Sequence, residues 1–161
     1  MIILGIDPGL SSTGFGAIRC RMDIPALLTC GHLKTSSKDR VPNRLYQIHT
    51  DMEQLLQSLH PDLVAVENVF SLVRYPKAGM LLGSVLGIVY VSAFHHNIPM
   101  VEITPREVKN ALAGYGGASK QQVRTRVKKL LNIGRLQSLH ASDALAVALT
   151  AFYRGSFTEK A

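Results

Sequence analysis

The sequence predicts an α/β fold: one mixed five-stranded sheet, three antiparallel strands followed by strand–helix alternation, flanked by helices. Three observations lead there. Strand-like runs follow one another from Met1 to Thr35 with only turn residues between them. Two further apolar runs, Leu63 to Val69 and Met100 to Ile103, are each preceded by a segment of helical length. A strand reached through a helix commonly returns parallel to a neighbour in the same sheet.

The elements follow in order. Met1 to Ile6 is apolar on both faces, as a central strand requires, and it ends on Asp7. Pro8-Gly9 fits a type II turn, in which Pro presets φ and Gly takes φ > 0. The Gly/Ser/Thr residues beyond it suit a reversal into a second strand, Phe15 to Arg19. Asp23-Ile24-Pro25 reads as the next turn and Leu27 to Thr35 as the third strand. Ser36 to Pro42 is a polar connection. Leu45, Ile48, Met52, Leu55, Leu56 and Leu59 then recur at helical spacing, so Asn43 to His60 is an amphipathic helix closed by Pro61-Asp62.

Leu63 to Val69 is rich in β-branched residues and reads as a buried strand parallel to the first. A loop, Phe70 to Lys77, leads to the uncharged run Ala78 to Phe94. That run is short of the ~20 residues of a comfortable membrane span, and its glycines Gly79, Gly83 and Gly87 fall on one helical face. It reads as a buried helix whose small-residue face admits close approach of the protein's own core or of a second subunit. Thr104-Pro105-Arg106-Glu107 combines an N-cap, a first-turn Pro and a capping box, and Gly114-Tyr115-Gly116-Gly117 ends that helix. Ser119-Lys120-Gln121-Gln122 starts another, with Val123, Val127, Leu130 and Leu131 on one face and Lys120, Arg124 and Lys128 on the next. A last helix covers about Leu139 to Tyr153, with a frayed tail from Gly155.

At 161 residues the chain reads as one domain, residues 1 to 161, and 47% hydrophobic content argues against disorder. The net charge of +7 favours a polyanionic partner such as nucleic acid or an acidic membrane. Cys20 and Cys30 have no metal or redox spacing, which suits reduced thiols in a cytoplasmic protein. No basic n-region precedes the first strand, so no signal peptide is read.

Three elements each offer an acid: Asp7 at a strand end, Glu67 inside an apolar strand and Asp143 in the last helix. His140 precedes Asp143 by three residues and shares its helical face. Singly, each has an ordinary explanation: turn N–H groups for Asp7, a favourable helix-end charge for Asp143, a surface position for His140. Glu67 is harder to explain that way, because a Glu in an apolar strand needs a partner or a cation. If the two strands are neighbours, Asp7 and Glu67 lie side by side, and a divalent cation relieves their repulsion. Carboxylates with few other ligands suit Mg²⁺, which keeps waters and also binds phosphate.

Three motifs now stand in order: Gly5-Ile6-Asp7-Pro8-Gly9, Val66-Glu67-Asn68-Val69-Phe70 and His140-Ala141-Ser142-Asp143-Ala144-Leu145-Ala146. With them the chain resembles, over essentially its whole length, the RuvC family of bacterial Holliday junction resolvases within the RNase H-like nuclease superfamily. The resemblance implies a structure-specific endodeoxyribonuclease of recombination and repair. It would resolve four-way DNA junctions by paired phosphodiester hydrolysis and leave 5′-phosphate and 3′-hydroxyl ends. It also implies that Asp7, Glu67, His140 and Asp143 are catalytic and bind two Mg²⁺ ions, for which Mn²⁺ can substitute. Some members carry Asp where this chain has His140. Lys109 and Lys120 match lysines near the scissile strand, and Phe70 an aromatic that stacks on unpaired bases. Arg124 joins them through the basic stripe it shares with Lys120. Arg74 and Tyr75 are weaker candidates. A four-way junction has near two-fold symmetry and its resolution takes two matched cuts, needs that a homodimer meets; the resemblance also implies work with the RuvA–RuvB branch-migration complex. The Gly-lined helix is the expected interface.

Three other readings compete. A sugar-kinase or actin-like ATPase also opens on Gly-Ile-Asp-x-Gly but needs two lobes. A non-catalytic junction-binding module would not need all four metal positions. A related RNase H-like nuclease could prefer RNA or linear DNA.

Overall fold

The structure is a computed structural model and describes residues 1–68, 76–134, 136 and 138–155. Its strands are β1 (Ile2–Asp7), β2 (Ser12–Arg21), β3 (Ile24–Lys34), β4 (Leu63–Glu67) and β5 (Met100–Ile103). Its helices are α1 (Val41–Leu59), α2 (Pro76–His95), α3 (Pro105–Ala113), α4 (Lys120–Leu130) and α5 (Leu139–Tyr153). The sheet order is β3-β2-β1-β4-β5. β1 pairs antiparallel with β2, which pairs antiparallel with β3; β4 runs parallel to both β1 and β5. The expected mixed sheet is therefore present, with β1 at its centre.

Side-chain alternation sorts the core onto two faces. Leu4 and Ile6 of β1, Val64 and Val66 of β4 and Ala17 of β2 pack beneath α1 and α2, against Met52, Leu56, Leu86 and Val89. Ile3, Ile18, Leu63 and Ala65 face the other way, toward α3, α4 and α5. By the same parity Asp7 and Glu67 belong to the α5 face, at the ends of adjacent strands where Ile6 sits beside Val66.

The helix signals correspond to real caps. Thr104 accepts a hydrogen bond from the Glu107 N–H while Glu107 reaches back to the Thr104 N–H, and Ser119 and Gln122 do the same for α4. Gly114 closes α3 at φ 87°. In contrast, α1 starts at Val41 with no side-chain cap.

Several local expectations are corrected. Gly9 does not take positive φ, so Pro8-Gly9 is not the expected type II turn. Glycine is needed there because a Cβ would come within 2.5 Å of the Ser12 carbonyl oxygen. The second strand starts at Ser12 rather than Phe15. The turn after it is Met22-Asp23, both at positive φ, so Ile24 and Pro25 already belong to β3. β3 is an edge strand, where a Pro is tolerated. The fourth strand stops at Glu67 rather than Val69, which puts Glu67 at the strand's mouth. α2 is not a buried helix. Only Val85, Leu86, Val89, Ser92 and Ala93 are buried, while Met80, Val91 and Phe94 are exposed. A Cβ at Gly83 or Gly87 would touch nothing within 4 Å. α2 is also long and apolar enough to cross a membrane, with mean hydropathy 1.6, yet its inner face is committed to α1 and the sheet.

Candidate active site

The site is set by how closely α5 lies on the sheet. Gly5, Gly14 and Gly16 all face this helix. A Cβ at Gly5 would overlap the Ala144 carbonyl, one at Gly14 the His140 carbonyl, and one at Gly16 would come within 2.6 Å of the Leu145 side chain. Gly5 pairs with Gly16, and Gly14 pairs with Asp7 itself, so the three form a smooth patch across β1 and β2. The helix answers with small residues: Ala141, Ala144, Ala148 and Ala151 are all buried. Backbone thus meets backbone, and the first turns of α5 arrive directly over the end of β1.

The turn beyond Asp7 is tied down from the opposite side. Thr13 donates its hydroxyl to the Gly9 carbonyl at 2.8 Å. Thr35 donates to the Leu10 carbonyl at 2.6 Å. Arg44 of α1 reaches the hydroxyls of Thr35 and Ser11 at 2.9 and 2.8 Å.

Asp7 and His140 meet at 2.9 Å between Oδ2 and Nδ1. Glu67 stands beside Asp7, and the two carboxylates compete for charge in a mostly buried place. Burial is the largest cause that pushes the Glu67 carboxyl up to about 7; the charges of Asp7 and Asp143 add to it, and Lys120 opposes it. Burial also raises Asp7, against the hydrogen bond from His140 and with the charge of Asp143. Burial and the neighbouring carboxylates thus disfavour the ionised form of Glu67, which lies within hydrogen-bonding reach of Asp7. Asp143 lies within 3.6 Å of both Lys120 Nζ and an Arg124 guanidinium nitrogen.

The structure therefore brings Asp7, Glu67, His140 and Asp143 to one end of the sheet. Lys109 and Lys120 join them: with Glu67 and Asp143 they line one small cavity of about 50 Å³ beneath α3 and α4. Arg124, expected to face nucleic acid, contacts Asp143 instead of only solvent. Phe70, with Arg74 and Tyr75, lies outside the described residues. Among the described residues, no three His, Cys, Asp or Glu side chains stand together in a ligating arrangement. Asp143 is engaged by two cations and Asp7 by His140. The donor set still suits a hard divalent cation: three carboxylates and an imidazole, with the Glu67 carboxyl raised by burial and by its acidic neighbours.

Sequence reasoning missed the glycine patch. Gly14 and Gly16 read as turn and strand residues, although their alternate spacing in a strand opposite an Ala-rich helix is a signal of close packing. It also missed the ion pairs of Asp143, which join residues far apart in the chain.

Residues 3–151 match the family model described as Crossover junction endodeoxyribonuclease RuvC. A protein of that name from Natranaerobius thermophilus is 37% identical over 150 residues, 92% of each chain. The structure of Thermus thermophilus RuvC superposes with a TM-score of 0.88 at 35% identity, covering 98% of both chains. T. thermophilus RuvC in complex with Holliday junction substrate gives 0.91 at 35% identity, covering 98% of this chain and 97% of that one. A matched family model over most of the chain, a comparable length and the same sheet together decide the assignment: this chain belongs to the RuvC family of crossover junction endodeoxyribonucleases.

Proposed function

We propose that the chain is a metal-dependent endonuclease of the cytoplasm that resolves four-way DNA junctions as a single nuclease domain. The observation that carries this reading is the convergence of Asp7, Glu67, His140 and Asp143 beside two lysines on one strand-end cleft. A RuvC relative of matching fold is known with a Holliday junction substrate bound. Asp7, Glu67, His140 and Asp143 would hold two Mg²⁺ ions, with Mn²⁺ able to replace them. Bound there, the ions would supply an activated water and charge stabilisation at the scissile phosphate.

The chain's own residues do the rest. Lys109 and Lys120 hold the phosphates of the cut strand. Glu67, whose charge is disfavoured beside Asp7, would be a carboxylate ligand for a divalent cation, whose positive charge favours its ionised form. His140, bonded through Nδ1 to Asp7, is oriented by that contact and keeps Nε2 for the cleft. Water adds to phosphorus and the 3′-oxygen leaves, giving 5′-phosphate and 3′-hydroxyl ends. Phe70 would stack on unpaired bases where the strands exchange.

The outward face of α2 is the subunit face in this reading. Met80, Val91 and Phe94 are exposed there, and Gly83 and Gly87 leave room for a second helix. Two subunits related by two-fold symmetry then meet two strands of like polarity. The RuvA–RuvB branch-migration complex would deliver the junction.

The test is incubation of the purified protein with four-way, Y-shaped and linear DNA, with and without Mg²⁺. Paired cuts in the four-way junction alone, only with the metal, are expected. Equal cutting of linear duplex would overturn the junction reading.

A further inference from the structure

We infer that a second anion seat lies between α4 and the first turn of α5, and that it takes a backbone phosphate of the same DNA on which the cleft acts. The inference rests on the nuclease reading above. A cavity of about 140 Å³ opens there, lined among others by Gln121, Arg124, Thr125, Lys128, Ser138 and Ser142. It shares no lining residue with the smaller cavity of the cleft.

Two buried polar groups on this cavity lack partners. Ser142 is 2% exposed, and its hydroxyl makes no hydrogen bond. The Arg124 Nε is also buried and unpaired, although another nitrogen of the same guanidinium reaches Asp143. Buried donors left unsatisfied are costly and uncommon, so a pair that lines one cavity, one from α4 and one from α5, marks a place for an acceptor. The remaining chemistry agrees. Lys128 adds a second cation, and no carboxylate is among the described residues that line the cavity. α5 is fifteen residues long and starts here at Leu139, capped by Ser138, so the positive end of its dipole faces the space. Donors and positive charge suit a tetrahedral oxyanion, with Asp143 outside the lining and paired to Arg124 and Lys120.

Position says whose oxyanion it is. Ser142 adjoins Asp143 in the chain, and Arg124 extends from Asp143 to the seat. A strand whose scissile phosphate lies at Asp7 and Asp143 would carry a neighbouring phosphate into this space. The seat thus fixes the register of the strand across the cleft, while Arg124 couples that register to Asp143.

The test is a scan of four-way junctions in which single phosphodiesters are replaced by neutral methylphosphonates, titrated with the wild-type protein, Ser142→Ala and Lys128→Gln. The wild type should lose about tenfold in affinity at one non-scissile position, the scale of one charged hydrogen-bonded contact. Each variant should bind the unmodified junction about tenfold more weakly and lose little further from the neutral linkage at that position. Lys128→Gln should also lower the slope of log affinity against log salt by about 0.9. Circular dichroism of both variants should match the parent. Variant losses that simply multiply with the methylphosphonate loss at every position would overturn the seat alone, as would variants that bind like wild type. Failure of the wild type to bind a four-way junction would overturn the nuclease reading, and the seat with it.

Discussion

Glu67 carries the least favourable charge in the cleft. Its carboxyl is raised from 4.5 to about 7, chiefly by burial and then by Asp7. The folded state therefore binds this proton more tightly than the unfolded chain. The stability it contributes is full below pH 4.5 and is lost as pH rises through 7. Without divalent cations the parent should thus be less stable at pH 8 than at pH 5, and Glu67→Gln should remove about 1–3 kcal/mol of that loss while abolishing cleavage. Thermal melts in EDTA at both pH values read the difference; parallel curves for parent and variant would dismiss the strained carboxyl. Asp7→Asn removes charge at constant size. Cleavage should fall by about 10²–10³, the scale of a single electrostatic group in catalysis, with gel-shift affinity for the junction retained. A variant cutting at the parent rate would remove Asp7 from the site. Lys109→Ala and Lys120→Ala should each lower junction affinity and flatten its salt dependence by about 0.9 in slope; unchanged slopes for both would make them solvated surface lysines.

At the scale of elements, the site depends on the seating of α5 against β1 and β2. Gly14→Ala sets a methyl group into the His140 carbonyl, with backbone on both sides and no flexible side chain to give way. The helix must lift or the strand must bend, which moves His140 from Asp7. The expected outcome is a loss of about 1–3 kcal/mol in stability, the usual cost of overpacking, together with a loss of cleavage larger than that destabilisation explains. Denaturant unfolding beside cleavage rates on one junction decides it. Gly83→Ala is the control, since its Cβ enters open space; alanine there should stabilise α2 by up to about 1 kcal/mol through helix propensity. If Gly14→Ala also proves neutral in both measurements, the close approach does not matter.

The whole molecule presents two faces to the sheet's two layers. One carries the cleft, the lysines and the basic stripe of α4. The other carries α2, whose outward face, with Met80, Val91 and Phe94, is exposed among the described residues. Gly83→Leu should leave the fold intact, because no atom lies within 4 Å of the new Cβ, yet it should block a close helix contact between subunits. Sedimentation should show the parent as a dimer at micromolar concentration and the variant shifted to monomer, and the variant should cut the two strands of a junction independently. A parent that is monomeric while still cutting both strands together would take the interface away from α2.

The order of elements was written in local patterns. The apolar run ending at Asp7, the period of Leu45 to Leu59 and the capping boxes at Thr104 and Ser119 each depend on residues a few positions apart. So β1, α1, α3 and α4 were legible. The candidate site residues stood out in the sequence too, because a Glu in a β-branched run and a His three residues from an Asp are anomalies in place. Only tertiary structure decided the rest. That Asp143 answers to Lys120 and Arg124, that Gly14 serves the approach of α5 rather than a turn, and that Gly83 and Gly87 of α2 pack against nothing among the described residues are relations between residues distant in the chain. Sequence alone determined which groups this protein has to work with, since propensity and periodicity act locally. Packing determined which of them touch, since contact distance, burial and charge coupling exist only once β1, β4 and α5 lie against one another.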